Sequence, residues 1–238
     1  MEAKQDEQKH ELELESQGFF VGVDLGQAKD YTAVVIAERL SHPSIGAADG
    51  QELDEYHIRH CERLPLGTSY EDQKQHIKKL IARATRKNPD QQITLIVDAT
   101  GVGRPVIDSM RGDGLTPIPV TVHGGQSVSC DESGWHVPKR DLVAAAKVLL
   151  GKKQLKIGRA LPFADVLITE LQNFQVKVNI ATGHDSYEAW REGAHDDLVF
   201  AVSLACWYAF TRRKRREEPV YIPPVMWKPS NAHIYGTL

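Results

Sequence analysis

Apolar positions first gather at residues 19–26, FFVGVDLG, a nearly continuous run closed by glycine, which predicts a buried central strand. After the turn-like GQAKD (26–30), YTAVVIAERL (31–40) is rich in β-branched residues and reads as its antiparallel partner. SHPSIGAADG (41–50) carries the Pro, Gly and small polar residues of a loop. In LDEYHIRHCERL (53–64) apolar residues alternate imperfectly with charged ones, which predicts a third, more exposed strand. The chain thus opens as a three-stranded meander.

The period then changes. SYEDQKQHIKKLIARATRKN (69–88) begins with a serine placed to cap a helix and sets Ile77, Leu80, Ile81 and Ala84 at helical spacing. QQITLIVDAT (91–100) has the composition of a buried strand, and GVGRPVIDSMRGDG (101–114) reads as a turn entering a short helix. TPIPVTVHG (116–124) is a further strand whose prolines suggest an edge. Residues 137–157 hold an Ala- and Leu-rich helix ending near Gly151, and FADVLITELQNF (163–174) predicts another. VKVNIATG (176–183) is a short strand or loop. A last helix runs from about His195 to Arg213, followed by the Pro-rich VYIPPVMWKPS (220–230), an ordered arm or a tail. This order predicts an α/β fold: a five-stranded mixed sheet, antiparallel over its first three strands and flanked by helices. Residues 1–18 read as a polar leader, 19–212 as one domain, and 213–238 as a basic and Pro-rich tail.

Composition narrows the class. With 238 residues and 41% hydrophobic content the chain is long enough for one well-cored domain. The formal net charge of −3 carries no overall basic signature, although a local patch is enough to contact phosphates. Cys61, Cys130 and Cys206 are scattered and form no CxxC pair, so neither a disulfide framework nor a zinc site is expected. The longest apolar stretch, LVFAVSLACWYAF (198–210), is too short to span a bilayer, and the N-terminus lacks the apolar segment of a signal peptide. The expectation is a cytoplasmic protein with no membrane partner.

The candidate chemistry lies in acids at the ends of apolar elements. Asp24 and Asp98 sit at strand ends, and the Asp196–Asp197 pair opens the last helix. An isolated charge at the end of a buried strand is costly unless a metal or hydrogen bonds compensate it. Asp197, Ala201 and Ala205 are spaced four apart, so they share a helix face whose small residues permit close approach to the sheet. That face would carry Asp197 toward the strand ends, with Asp196 about 100° away around the helix as a second-metal or outer ligand. Oxygen donors of this kind suit Mg2+ or Mn2+, and two such ions about 3.5–4 Å apart drive in-line displacement at a phosphodiester. Each acid also has a plainer reading: Asp24 as a turn residue, Asp98 as a helix cap, Asp196 and Asp197 as acids favoured by a helix dipole. Lys139 and Arg140 at a helix start, and the run Arg212, Arg213, Lys214, Arg215 and Arg216, are candidate contacts to a nucleic-acid backbone. His184 and His195 are the histidines nearest these acids and are expected as neighbours rather than ligands.

Four segments in this order, VGVDLGQAKDYTAVVIAE, LIVDATGVGRPVID, VPKRDLVAAAKVLL and GAHDDLVFAVSLACW, resemble the nuclease domain of phage terminase large subunits. The resemblance covers roughly residues 19–210. It implies a ribonuclease H-like fold related to resolvases of the RuvC type. It also implies that Asp24, Asp98, Asp196 and Asp197 coordinate two Mg2+ or Mn2+ ions and cut double-stranded DNA during genome packaging. The expected partners are double-stranded DNA and a packaging ATPase domain or other terminase and portal components, in the host cell cytoplasm if the chain is phage-encoded. The loop ATGVGRP lacks the GxxxxGK[ST] spacing, and no Walker A sequence occurs elsewhere, so no ATP site and no motor activity are expected of this polypeptide.

The same residues admit three other readings. One is a RuvC-like resolvase selective for DNA structure. Another is a phosphotransferase or ATPase of the sugar kinase and actin type, whose phosphate loop also begins with Asp and Gly on a hairpin. The third is a scaffold without catalysis on the same fold.

Overall fold

The antiparallel opening expected from the pattern is present in the computed structural model, which describes residues 14–26, 30–41, 54–101, 103–173 and 196–212. Strand β1 (Glu15–Asp24) pairs antiparallel with β2 (Ala33–Ser41), and β2 pairs antiparallel with β3 (Glu55–Arg63). β1 begins ahead of the apolar run, and its register with β2 shifts between Ser16 and Phe19 around Gly18.

Helix α1 (Tyr70–Lys87) follows, with Ser69 at its N-cap accepting a hydrogen bond from the Asp72 N–H at 3.2 Å. The chain then returns to the middle of the sheet. β4 (Ile93–Asp98) lies parallel to β1, helix α2 (Gly103–Gly112) crosses over, and β5 (Pro117–His123) lies parallel to β4. The inner strand order β5-β4-β1-β2-β3, with β2 running against the other four, is the ribonuclease H-like arrangement expected above.

Among the described residues the sheet has eight strands rather than the expected five. A hairpin of β6 (Ser129–Asp131) and β7 (Gly134–Pro138) extends one side, with β7 parallel to β5. On the other side β8 (Leu155–Ile157), following helix α3 (Lys139–Gly151), lies parallel to β3. These additions have five residues or fewer, too few to print a period in the sequence, and they pair backbone groups that would otherwise line open edges.

The proline-bearing strand is therefore interior, not an edge. Pairing of β5 with β7 begins at Val120, one residue past Pro119, so the missing proline N–H groups fall on a stretch that β7 does not reach. Helix α4 (Ala164–Asn173) is as expected, the last described helix α5 spans Asp197–Thr211, and the predicted element at 176–183 and the Pro-rich segment lie outside the described residues.

Alternation along the central strands splits the core in two. Phe19, Val21, Val23, Leu95 and Val97 pack with Ile77 and Leu80 of α1 and with Ile107 and Met110 of α2. Phe20, Val35, Ile96 and Val120 face the other way, against α5 and α3. Helix α5 is buried nearly all round, and no described helix is long and apolar enough to cross a membrane.

Candidate active site at the ends of two central strands

Asp24 and Asp98 are the last residues of β1 and β4, two adjacent parallel strands. The register pairs Val23 with Val97, so the two aspartates follow at the same level, on strands about 4.8 Å apart. Both share the parity of Phe20 and Ile96 and so belong to the sheet face that α5 covers.

Gly22 seats that helix. A Cβ at Gly22 would stand 2.0 Å from the Ala201 carbonyl oxygen and 3.0 Å from the Ala205 nitrogen, so α5 rests directly on the backbone of β1. The helix runs against β1: near the strand's start the Tyr208 ring lies 6.4 Å from Phe20, and the Arg39 Nη1 donates to the Ala209 carbonyl at 3.0 Å. From this contact Asp24 lies two residues onward, about 6.6 Å along the strand. Asp197 lies one turn back from Ala201, about 6 Å along the helix. Strand and helix therefore converge at the end that holds Asp24, Asp98 and Asp197.

Asp98 and Asp197 are held by neighbouring side chains. Asp98, only 5% exposed, accepts from the Thr100 N–H at 2.8 Å and from its hydroxyl at 2.5 Å. The same hydroxyl oxygen accepts from the Val122 N–H at 2.8 Å, tying the turn to β5. The turn after Asp24 is fixed by the Gly26 N–H donating to Thr32 Oγ1 at 3.0 Å and by Gln73 Nε2 donating to the Gly26 carbonyl at 3.1 Å. Asp197 is 7% exposed, and Arg63 Nη2 approaches its Oδ2 at 3.3 Å. Asp196 stands at the N-cap, where its carbonyl receives the Phe200 N–H and its side chain makes no capping bond.

Two functional candidates were missed in the sequence. Arg63 ends β3 opposite Ala33, which itself pairs with Asp24, so Arg63 reaches the site across one intervening strand. Its Nη2 also donates to Glu170 Oε1 on α4, and Glu170 Oε2 accepts from the Val199 N–H in the first turn of α5 at 3.0 Å. Burial pushes the Glu170 carboxyl up to about 7; neighbouring Asp197 and Asp196 push the same way, against the Val199 N–H and Arg63. The signal was available: Glu170 lies three residues after the buried Leu167, a charge on the apolar stripe of its helix.

The basic candidates divide. Lys139 opens α3 and places its Nζ 5.9 Å from the ring centroid of Phe200, in the first turn of α5, which brings it to the acidic end. Arg140 turns away, donating to the Gln126 carbonyl at 2.6 Å. Arg212 stacks over Trp135 at 4.9 Å at the far end of α5, some 22 Å of helix from Asp197. Arg213, Lys214, Arg215, Arg216, His184 and His195 lie outside the described residues.

Among the described residues no three His, Cys, Asp or Glu side chains converge closely enough to enclose an ion. Asp98 instead accepts from Thr100, and Asp197 lies beside Arg63. What the arrangement offers is a set of hard oxygen donors on three rigid elements at one end of the sheet, with a lysine at the rim.

No family model and no curated protein matches the chain. Among solved structures it is similar to the large terminase nuclease of the thermophilic phage G20c, at 19% identity and a TM-score of 0.48, over 79% of this chain and 80% of that one. It is also similar to the human cytomegalovirus terminase nuclease domain soaked in Mn, at 16% identity and a TM-score of 0.49, over 79% and 82% of the two chains. The large terminase of the thermophilic bacteriophage D6E matches at 10% identity and a TM-score of 0.39, over 66% of this chain and 31% of that one.

Proposed function

We propose that this chain is a divalent-metal-dependent endonuclease that hydrolyses phosphodiester bonds of double-stranded DNA, the nuclease of a phage terminase. The observation that carries the proposal is the convergence of Asp24 and Asp98, level on adjacent strands, with the helix end that bears Asp196 and Asp197. The four-segment sequence resemblance supports it independently.

The residues present fit hard divalent cations. Every donor is a carboxylate oxygen, the ligand type that hard divalent cations prefer. Asp24, Asp98, Asp197 and Asp196 would hold two Mg2+ or Mn2+ ions. When bound, such ions neutralise charge at the scissile phosphate and lower the pKa of a coordinated water. The protein's own part is positioning. Thr100 fixes the Asp98 carboxylate, the seating of α5 on Gly22 sets Asp197, and Lys139 supplies a cation at the rim for the DNA backbone. A packaging ATPase domain or portal component is the partner this role calls for, and the host cytoplasm its place of action.

The test is nicking of supercoiled plasmid in Mg2+ or Mn2+. Asp24→Asn and Asp98→Asn are each expected to abolish cleavage while the protein stays folded. Wild-type rates in both variants would overturn the assignment, and ATP hydrolysis without DNA cleavage would point to a phosphotransferase instead.

A further inference from the structure

The buried arginine beside Asp197 is an obstacle as well as a support. A guanidinium carries its charge at every accessible pH, and one fixed 3.3 Å from a carboxylate competes with any cation for that carboxylate. Arg63 is 11% exposed at its side chain and Glu170 6%, so solvent does little to screen either. Their placement is specific: one Nη2 of Arg63 serves both Glu170 and Asp197, while the other oxygen of Glu170 is anchored on the Val199 N–H. Helix α4 therefore delivers a counter-charge to the arginine and pins it to the turn of α5 that carries Asp197.

We propose that Glu170 is a positioning residue for the metal site: by neutralising Arg63 it leaves the charge of Asp197 available to a divalent cation. Arg63 then holds the acid cluster together before the ion arrives without blocking it. The inference rests on the nuclease reading above, because it takes Asp197 as a ligand.

The experiment is a calorimetric Mn2+ titration of the intact chain at pH 8, without DNA, alongside a thermal melt. Glu170→Gln keeps an oxygen for the Val199 N–H and replaces the oxygen that accepts from Arg63 by an uncharged NH2, so the counter-charge to the guanidinium is lost. It should bind Mn2+ about 10–100-fold more weakly, the loss usual when a partner behind a metal ligand is changed. The melting temperature without metal should not fall.

The double variant Glu170→Gln with Arg63→Gln restores the charge balance around Asp197 and should recover most of the lost affinity. A merely structural role for Glu170 predicts no such recovery. If Glu170→Gln binds Mn2+ as the wild type does, or if the double variant binds no better than Glu170→Gln, the proposal fails while the nuclease reading stands. Absence of Mn2+ binding by the wild type would sink both, and Asp24→Asn provides the control that separates site binding from surface binding.

Discussion

Gly22→Ala tests how the site is assembled, because it touches no acid and adds only one methyl group. The new Cβ would stand 2.0 Å from the Ala201 carbonyl oxygen, where real Cβ atoms come no nearer than 3.0 Å, so strand and helix must part by about 1 Å. Neither side yields easily. β1 is hydrogen-bonded on both edges, by β2 and β4, and α5 is enclosed between the sheet and α3. Overpacking a core costs typically 1–3 kcal/mol, and a clash between two backbones belongs at the top of that range or above. About 3 kcal/mol corresponds to a fall of roughly 6–12 °C in melting temperature for a domain of this size. The same displacement moves Asp197 relative to Asp24 and Asp98, and a 1 Å misplacement can cost about 100-fold in rate. Differential scanning fluorimetry and plasmid nicking at 20 °C, where the variant remains folded, separate the two effects. A Gly22→Ala protein with wild-type melting temperature and wild-type nicking would refute the seating of α5 on β1, and with it the placement of Asp197.

Two further outcomes follow from titrating groups. Because the folded protein holds the Glu170 proton to about 7 against an ordinary 4.5, that proton stabilises the fold fully below about pH 4.5 and is lost as a contribution as pH rises through 7, roughly 3 kcal/mol at most. Urea denaturation of metal-free protein should show wild type losing stability relative to Glu170→Gln between pH 5 and pH 8; parallel profiles would contradict it. Burial pushes the thiols of Cys61 and Cys206 up to about 12, whereas Cys130 is exposed. A maleimide applied to the folded protein should label Cys130 and leave the other two, and rapid labelling of Cys206 would place α5 outside the core.

How much of this was legible in the sequence differs from residue to residue. Asp24 and Asp98 stood out because each ends an apolar run that must be a buried strand, and strand ends are where the chain leaves the core. Asp197 could be aimed at them because Ala201 and Ala205 mark the contact face of its helix. Arg63 was hidden, since its strand mixes charged and apolar residues and reads as exposed, although its last residue turns inward at the site. The added strands were hidden too: three to five residues carry no readable period, and whether they pair depends on which edge lies open beside them.

Local pattern alone therefore determined the types of the longer elements, the antiparallel start, the parallel return, and which acids sit at element ends. These follow from periodicity and burial, which each segment carries in its own residues. Tertiary structure decided what meets what. It set the level of Asp24 with Asp98 through strand register, the reach of Asp197 through a helix seated on Gly22, and the Arg63–Glu170 pair through a strand and helix 107 positions apart. Such meetings depend on how whole elements pack, and no local window of sequence contains both partners.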